Sequence, residues 1–414
     1  GSVNGMDYYV RESYLKKIRG FYRDTEIIKV ITGVRRCGKS CLMATIQQEL
    51  LASGVPETNI ISIDLDSRKY RKIKTDDQLE TLIYSLSGAA GIKYLFVDEI
   101  QNVVNFEEVI NAFRGDGDYS IFITGSNSYL LSGELVTKLT GRYVEFEMFP
   151  LSFDEYLEMK AFLGKLVDAN LQIELTHYLQ EGGFPGAIRY DSLADKRSYV
   201  KSVVDEIFEK DIKKRVKVRN VNAFHTVRSF IINNYGATVS MSSLQTALAK
   251  NGIRITRETL SRYIDVLLQS KILYCCDRFD MKSKKSLSGE KKYYLADTAF
   301  YFAANTDNRI NYGPALENMV YVYARSRDYA VSVGRIGRLE CDFILRDNEL
   351  NYAYVQVAYT INESKATEDR EYAPLEMIKD NYPKYVATTD YLLQKRGGIR
   401  HINLLEFVKN GEMF

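Results

Sequence analysis

The chain has 414 residues, more than the roughly 250–300 that one hydrophobic core can serve, so we expect about three structural units. Hydrophobic residues make up 45% of the chain and charged residues 27%, which excludes an intrinsically disordered protein. The 56 basic and 54 acidic residues give a net charge of +2, which excludes a chain-wide attraction to nucleic acid but leaves a local basic surface open.

Apolar stretches and cysteines bear on where the protein works. No uninterrupted apolar stretch reaches about 18 residues, and no charged segment followed by an apolar one opens the chain, so we expect neither a membrane span nor secretion. The 5 cysteines form no C-x-x-C pair and accompany only 3 histidines, which argues against a disulfide framework and a zinc site. The expected location is a reducing cytoplasm.

Residues 1–150 alternate short apolar strands with helical stretches, the pattern of an α/β fold with a parallel sheet. A helix is predicted over Lys39–Leu51, because apolar residues recur there at every fourth position. The predicted strands are Ile27–Thr32, Asn59–Asp64, Lys93–Asp98, Ser120–Thr124 and Tyr143–Met148.

The remainder of the chain has three different patterns. Residues 151–219 are predicted to be helical and end in a basic run at 210–219, which we interpret as a solvated helix or linker. Residues 220–300 are predicted to form three helices and a β-ribbon, and residues 301–414 mix both types of structure. The strands predicted in this last part are Ala330–Val333, Cys341–Leu345, Tyr352–Ala358 and Tyr385–Ala387.

The most specific motif matches G-x-x-x-x-G-K-[ST], follows a predicted strand and opens a predicted helix. Such a loop points backbone N–H groups at an anion, and the following helix adds the positive end of its dipole. Lys39 could reach the terminal phosphates, and the Ser40 hydroxyl could hold Mg²⁺. The residues expected to bind the nucleotide are Gly33, Val34, Arg35, Arg36, Cys37, Gly38, Lys39, Ser40 and Cys41. Arg35 and Arg36 have either phosphate-binding or solvated structural roles.

The predicted strand Lys93–Asp98 ends in an acidic pair, Asp98 and Glu99. In a parallel sheet Asp98 would lie beside the phosphate loop, where it could bind Mg²⁺. Glu99 could polarise the attacking water as a general base. This arrangement favours hydrolysis of a nucleoside triphosphate over phosphate transfer to another substrate.

Two further segments could complete a catalytic site. Ser126 and Asn127 follow the fourth predicted strand in the segment Thr124-Gly125-Ser126-Asn127, where they could orient the water or cap the next helix. Arg142 precedes the fifth strand, and in a homo-oligomer it could reach a neighbour's γ-phosphate. A surface salt bridge is the alternative role for Arg142.

These motifs resemble those of the prokaryotic AAA+-type ATPases that carry the C-terminal domain of unknown function DUF4143. Beyond the phosphate loop, the resemblance rests on residues 95–101, 124–127, 140–142, 149–157, 182–185, 205–211 and 316–318. It implies ATP as the nucleotide and a P-loop NTPase fold. It also implies an ATPase domain at 1–150, a helical lid at 151–219, a winged helix at 220–300 and a restriction-endonuclease-like α/β domain at 301–414.

A winged helix is also indicated by the residues themselves. Ser240 and Thr256 are predicted to cap two helices, and the strands Ile272–Phe279 and Lys292–Leu295 would form the wing. Winged helices bind either DNA or proteins, and both roles stay open. The candidate DNA-binding residues are Arg257, Ser261, Arg262, Lys282, Lys284, Lys285, Lys291 and Lys292.

The last part of the chain carries polar residues in the order of a PD-(D/E)xK nuclease. The residues of this degenerate site are Glu317, Glu340, Asp342 and Gln356. Such a nuclease needs an acidic residue and a lysine where this chain has Gln356 and Ala358, so we expect an inactive scaffold. Lys365 could reach the site from the next segment.

The leading hypothesis is a cytoplasmic ATPase that binds ATP with Mg²⁺ and hydrolyses it using Glu99. The nucleotide state would bias how the C-terminal domains engage DNA or a protein. The alternatives are a nucleotide-gated binding module with negligible turnover and a metal-dependent nuclease. The expected partners are the nucleotide, DNA and a second copy of the chain, with no membrane.

Overall fold

The computed structural model describes residues 7–125, 130, 134–213, 218, 220–305 and 309–414, with backbone only for residues 134–136. The chain forms two compact units, Gly1–Phe149 and Pro150–Phe414. Within the described residues, no helix combines the length and apolarity that a bilayer crossing requires.

The first unit is built on a five-stranded parallel sheet with the strand order β2-β3-β4-β1-β5. The strands are β1 Ile28–Gly33, β2 Ile60–Asp64, β3 Lys93–Asp98, β4 Tyr119–Thr124 and β5 Tyr143–Met148. Every residue of β1, β3 and β4 is buried, as expected for the middle strands of a parallel sheet that helices cover on both faces. The predicted strands differ from these by at most one residue at an end.

The helices of the first unit are α1 Glu12–Ile18, α2 Lys39–Ala52, α3 Asp76–Ser85, α4 Phe106–Asp116 and α5 Glu134–Leu139. Residues of α3 and α4, such as Leu79 and Ile110, pack in one apolar cluster with Leu95 and Ile121 of the sheet. Burial of each such side chain contributes roughly 1.5–3 kcal/mol.

The carboxyl ends of three neighbouring strands meet at one edge of this sheet. β4 lies between β1 and β3, and its last residue, Thr124, pairs with Ile31 of β1 and follows the pair formed by Ile123 and Val97 of β3. In open α/β sheets, ligands bind outside this edge. The topology therefore brings the phosphate loop and the acidic pair together across an intervening strand.

The second unit begins with helices α6 Phe153–Phe162, α7 Leu171–Glu181, α8 Pro185–Ile188 and α9 Leu193–Ile207, followed by a π-helical turn, Phe208–Ile212. At the break between α7 and α8, the backbone of Gly183 passes close to that of Leu151. A Cβ atom on Gly183 would lie 2.2 Å from the Leu151 carbonyl oxygen, and the Gly183 N–H donates to the buried Asp297 at 2.5 Å. Of the basic run at 210–219, residues 214–217 and 219 lie outside the described residues.

The middle of the second unit has the predicted order of three helices and a ribbon. Its elements are α10 Val221–Asn233, β6 Thr238–Val239, α11 Met241–Lys250, α12 Arg257–Gln269, β7 Leu273–Asp280 and β8 Lys285–Leu295. Ser240 caps α11 and Thr256 caps α12, each accepting a hydrogen bond from a first-turn N–H, so both predicted caps are confirmed. The assignment as a winged helix stays a prediction.

The remaining elements continue the β7–β8 ribbon into one nine-stranded sheet, ordered β13-β14-β12-β11-β10-β9-β7-β8-β6. The strands are β9 Ala330–Ile336, β10 Leu339–Arg346, β11 Tyr352–Val357, β12 Lys384–Thr388, β13 Lys395–Arg396 and β14 Ile399–Asn403. The helices are α13 Ala299–Ala304, α14 Tyr312–Ser326, α15 Lys365–Glu376 and α16 Leu404–Lys409. Because β7 pairs with β9, the boundary expected at 300/301 falls within a continuous sheet, and the division of this unit stays a prediction.

Candidate functional site

The phosphate loop, residues 33–40, has a backbone that only glycine accommodates at two positions. Gly33 has φ +145°, and a Cβ atom there would lie 2.4 Å from the Met148 carbonyl oxygen and 2.7 Å from Cys37 Sγ. Gly38 has φ +114° and precedes the first residue of α2. The first N–H groups of a helix have no intrahelical partner and attract anions, so the loop has the form of an anion site.

Lys39 lies folded against this loop. Its side chain is only 8% exposed, and Nζ donates to the Gly33 carbonyl oxygen at 2.6 Å and lies 3.5 Å from that of Val34. Both partners are neutral carbonyl groups. A phosphate oxygen would form a stronger, charge-assisted hydrogen bond with the same ammonium group.

Asp98 joins the phosphate loop to the neighbouring strand. The Ser40 hydroxyl donates to Asp98 Oδ2 at 2.5 Å, and the Thr124 hydroxyl donates to Asp98 Oδ1. Asp98 is 8% exposed. A hydroxyl and a carboxylate are hard oxygen ligands of the kind that Mg²⁺ prefers, so Ser40 and Asp98 fit the metal that a bound triphosphate would bring.

Glu99 is held in position by its neighbours. Its backbone has φ +58°, its N–H donates to Thr124 Oγ1 at 3.3 Å, and Gln101 Nε2 donates to Oε2 at 2.5 Å. Arg35 Nη2 lies 4.0 Å from the same carboxylate oxygen. Burial raises the pKa of Glu99, and the charges of Lys39 and Arg35 oppose that rise. A carboxyl group with a raised pKa suits a general base that acts near neutral pH.

The sequence missed one residue of this site and pointed only indirectly to two others. Arg11 is buried and donates from Nη1 to the Cys37 carbonyl oxygen at 3.0 Å, although it precedes Cys37 by 26 residues. Thr124 belongs to the polar segment expected between the phosphate loop and the acidic pair, and Gln101 lies in a segment that carries the resemblance but has no predicted role. An apolar strand that ends in threonine next to the acidic strand was the available signal for Thr124.

Other expected site residues have different surroundings. Ser126 and Asn127 lie outside the described residues. Val34 and Cys37 are fully buried, burial raises the pKa of the Cys37 thiol, and Cys41 is exposed. The two cysteines therefore differ in solvent access, although Cys37 lies in the loop and Cys41 directly follows it.

Arg142 lies at the opposite edge of the sheet from the phosphate loop. Its carbonyl oxygen accepts from the N–H of Ile28, the first residue of β1, and Nη1 donates to Asn111 Oδ1 of α4 at 3.3 Å. The exposed guanidinium thus faces away from the carboxyl edge of its own sheet. Action on a neighbouring subunit's nucleotide stays a prediction.

The predicted DNA-binding residues separate into exposed and buried groups. Arg257 and Arg262 on α12 are exposed, as are Lys282, Lys284 and Lys285 around the β7–β8 turn. Lys292 is buried, however, and its Nζ forms an ion pair with Glu340 Oε1 at 2.8 Å. The expectation that Lys292 contacts phosphate is therefore wrong, because β8 is longer than predicted and carries this residue into the sheet.

The structure brings the residues of the degenerate nuclease site together. We call the group formed by Glu317, Glu340, Asp342 and Glu371 the carboxylate cluster. Tyr294 OH donates to Glu317 at 3.1 Å, and Val357 N–H donates to Asp342 at 2.8 Å. Gln356 accepts from the Asp342 N–H at 2.7 Å and donates to Glu371 at 3.2 Å.

Burial and a neighbouring lysine offset part of the negative charge of the carboxylate cluster. Burial raises the pKa of Glu317 and of Asp342, and Lys292 supplies the nearby positive charge. Lys365 does not reach the cluster, because its exposed Nζ pairs with Glu368, so that expectation is wrong. Across the described residues, no three or more His, Cys, Asp and Glu side chains are arranged to hold a metal ion.

Two family models match separate parts of the chain. One, described as an AAA domain, matches residues 25–157, and the other, a domain of unknown function named DUF8612, matches residues 172–309. The second match covers most of the predicted lid, all of the predicted winged helix and the first residues of the predicted C-terminal domain. The expected relation to DUF4143 stays a prediction.

Two solved structures resemble this chain at low sequence identity. A Walker-type ATPase of Pyrococcus abyssi is 15% identical with a TM-score of 0.47, over 72% of this chain and 96% of that one. The ORC2 protein of Aeropyrum pernix, solved in ADPNP–ADP complexes, is 10% identical with a TM-score of 0.40, over 77% and 95% of the two chains.

Two relatives are similar along most of their length. An uncharacterised protein of Methanocaldococcus jannaschii is 31% identical over 381 residues, which cover 88% of this chain and 83% of that protein. An uncharacterised protein of Haemophilus influenzae is 35% identical over 402 residues, which cover 96% of this chain and 98% of that protein. The chain therefore belongs to the family of these two proteins, and its residues 25–157 are an AAA domain.

Proposed function

We propose that the chain is an ATPase that binds ATP with Mg²⁺ at the phosphate loop and hydrolyses it. The observation that carries this proposal is the direct contact between Ser40 and Asp98, at 2.5 Å, beside a buried lysine. Both oxygen ligands expected for the metal thus lie together, although their positions are 58 residues apart in the sequence.

The chain's own residues supply distinct parts of this chemistry. Lys39 exchanges its carbonyl partners for phosphate oxygens, and the loop N–H groups bind the same anion. Ser40 and Asp98 hold Mg²⁺, which when bound neutralises charge on the phosphates. Glu99, oriented by Gln101 and Thr124, accepts a proton from the attacking water.

The nucleotide state then biases how the second unit engages DNA or a protein. This part of the proposal rests on the resemblance, which also implies ATP rather than GTP, the lid, the winged helix and the nuclease-like fold. Exposed Arg257 and Arg262 on α12 are the candidate DNA contacts of the winged helix.

A second candidate is a nucleotide-gated binding module with negligible turnover. The contacts of Glu99 with Gln101 and Arg35 favour it, because a carboxylate engaged by neighbouring side chains is less available to accept a proton from water. In this case ATP binding alone would change the affinity of the second unit for its partner.

Steady-state phosphate release distinguishes the two candidates. We expect the wild-type chain to release phosphate from ATP with Mg²⁺ at least about a hundredfold faster than Glu99→Gln, which should still bind ATP. Equal rates in the two proteins, with ATP binding retained, would replace the first candidate by the second. The same assay with GTP tests whether the chain prefers adenine to guanine nucleotides.

A further inference from the structure

The second unit contains a large open cavity that the proposed ATPase activity does not use. Its volume is about 970 Å³, at the upper end of the range for small-molecule sites. One wall is the turn between β7 and β8, and the opposite wall runs from β11 to the segment 377–382. The floor consists of residues from β9 and β10, including Val331, Ile336 and Ile344.

One wall of this cavity presents partly exposed aromatic rings. Tyr352 and Tyr382 are 36% and 37% exposed, and their rings meet edge to face with centroids 5.4 Å apart. The ring of Tyr354 is parallel to that of Tyr352, at an interplanar angle of 3°. Tyr354 OH donates to Asp380, which anchors this aromatic wall to the segment 377–382.

The lining of the cavity carries more positive than negative charge, because its lysine and arginine residues outnumber its two carboxylates, Asp277 and Asp380. Lys282, Lys284, Arg346 and Lys379 line the cavity and are all exposed. Among the described residues, Lys282, Lys284 and Arg346 have no carboxylate partner, and Lys379 donates to a backbone carbonyl group. These four side chains can therefore pair with an anion at low cost, since no existing ion pair must break.

We propose that this cavity binds unpaired nucleotides of a single-stranded nucleic acid. Exposed aromatic rings stack on bases of any sequence, and lysine and arginine side chains contact the phosphates that connect them. The cavity presents both groups, with the aromatic wall inside and the cations at the rim. A duplex keeps its bases stacked on one another, so it cannot offer their faces to Tyr352 and Tyr382.

The proposal goes beyond the proposed ATPase activity and does not depend on it. The stacking residues and the cations belong to the second unit, whereas the phosphate loop belongs to the first. Lys39→Ala should therefore abolish ATP binding and leave strand binding intact. If the wild-type chain binds ATP but no single strand, only this proposal fails. If it binds the single strand but no ATP, only the ATPase proposal fails.

The absence of tryptophan from the chain allows a direct test of base stacking. Tyr382→Trp introduces a single tryptophan in the aromatic wall, whose fluorescence should be quenched when an oligothymidylate stacks on it. Tyr391→Trp is the control, because Tyr391 is 63% exposed and lies outside the cavity lining. Quenching only in the first variant supports the proposal, whereas no quenching, or equal quenching in both, overturns it.

Fluorescence anisotropy with a labelled oligothymidylate and the full-length chain tests the cationic rim. We expect the paired change Lys282→Glu and Lys379→Glu to weaken binding by roughly tenfold or more, with a steep dependence on salt. Lys409→Glu, an exposed lysine on α16, should leave binding unchanged.

Two competitors define the ligand. A duplex of the same length, or adenosine monophosphate, should compete at least tenfold less effectively than the single strand. Equal competition by either one would overturn the proposal of a single-strand site. Binding that is lost in Arg257→Glu but unchanged in the rim variant would overturn it as well, because α12 would then hold the nucleic acid.

Discussion

The phosphate loop of the first unit and the carboxylate cluster of the second each surround a buried lysine, but the two lysines have different partners. Lys39 donates to neutral backbone carbonyl groups, and among the described residues no carboxylate forms an ion pair with it. Lys292 forms an ion pair with Glu340, and burial lowers its pKa while Glu317 and Glu340 raise it above its usual value. A lysine bound to neutral groups can exchange them for phosphate, whereas a lysine paired with a buried carboxylate is already neutralised and would have to give up that partner.

The largest expected effect concerns the metal ligand of the first region. Asp98→Asn should reduce Mg²⁺-dependent phosphate release by at least about a hundredfold, because a neutral amide binds Mg²⁺ poorly. Asp64→Asn is the matched control, since Asp64 ends the adjacent strand in register with Asp98 but lacks the contact with Ser40. Similar losses in both variants would contradict the assignment of Asp98 as the metal ligand.

Gly33→Ala should destabilise the first unit and abolish ATP binding. The new Cβ atom would lie 2.4 Å from a backbone oxygen at a left-handed φ, which should lower the free energy of unfolding by about 3 kcal/mol. Gly54→Ala should cost only about 1 kcal/mol, because its φ is also positive but nothing lies within 4 Å of the added atom. Urea unfolding measures both, and equal costs would contradict the close approach at Gly33.

Lys292→Met should lower the free energy of unfolding by about 2 kcal/mol, because Glu340 loses its ion pair with Lys292 and keeps only that with Arg278. Lys365→Met should produce no measurable change, since that lysine forms an exposed ion pair. Phosphate release should be unaffected in both variants. If Lys292→Met lost ATPase activity without losing stability, the structural role assigned to Lys292 would be wrong.

A third buried lysine makes the stability of the first unit depend on pH. Lys29 is fully buried in β1, donates to the Asp24 carbonyl oxygen and to Ser120, and burial lowers its pKa to about 7 from 10.5. Between these pH values the unfolded chain holds a proton that the folded chain has lost, so stability rises with pH across this window. Below about pH 7 the folded chain also keeps the proton on Lys29, so the full cost of burying that charge lowers the free energy of unfolding.

Urea unfolding at about pH 7 and about pH 9.5 checks this expectation. Wild-type stability should increase between the two conditions, and Lys29→Met should show a smaller increase because it lacks the titrating group. An equal pH dependence in the two proteins would show that Lys29 does not titrate in this range.

The sequence predicted the parts of the molecule whose signals are local. The phosphate loop, the acidic pair and the five strands of the first unit each occupy a short segment. Two glycines mark two of the positive φ values in the loop, whereas nothing in the sequence marks the third, at Arg36. The caps of α11 and α12 were predicted for the same reason, because Ser240 and Thr256 act on N–H groups three residues away.

Contacts between distant residues were not predictable from one sequence. Nothing near Arg11 indicates that it binds the Cys37 carbonyl group, and nothing near Lys292 indicates Glu340 as its partner. Strands β6 and β13 contain two residues each, too few for an alternating pattern. In the sequence, the tyrosines of the cavity lie in separate strand and loop segments, and nothing there indicates that the fold brings them together.

Calorimetric titration with ATP in the presence of Mg²⁺ tests the central claim most directly, by comparing the wild-type chain with Lys39→Ala. The account predicts saturable binding of one ATP per chain in the wild-type protein, and none in the variant at the same concentrations. Equal heats of binding in the two proteins, or none in the wild-type chain, would contradict it.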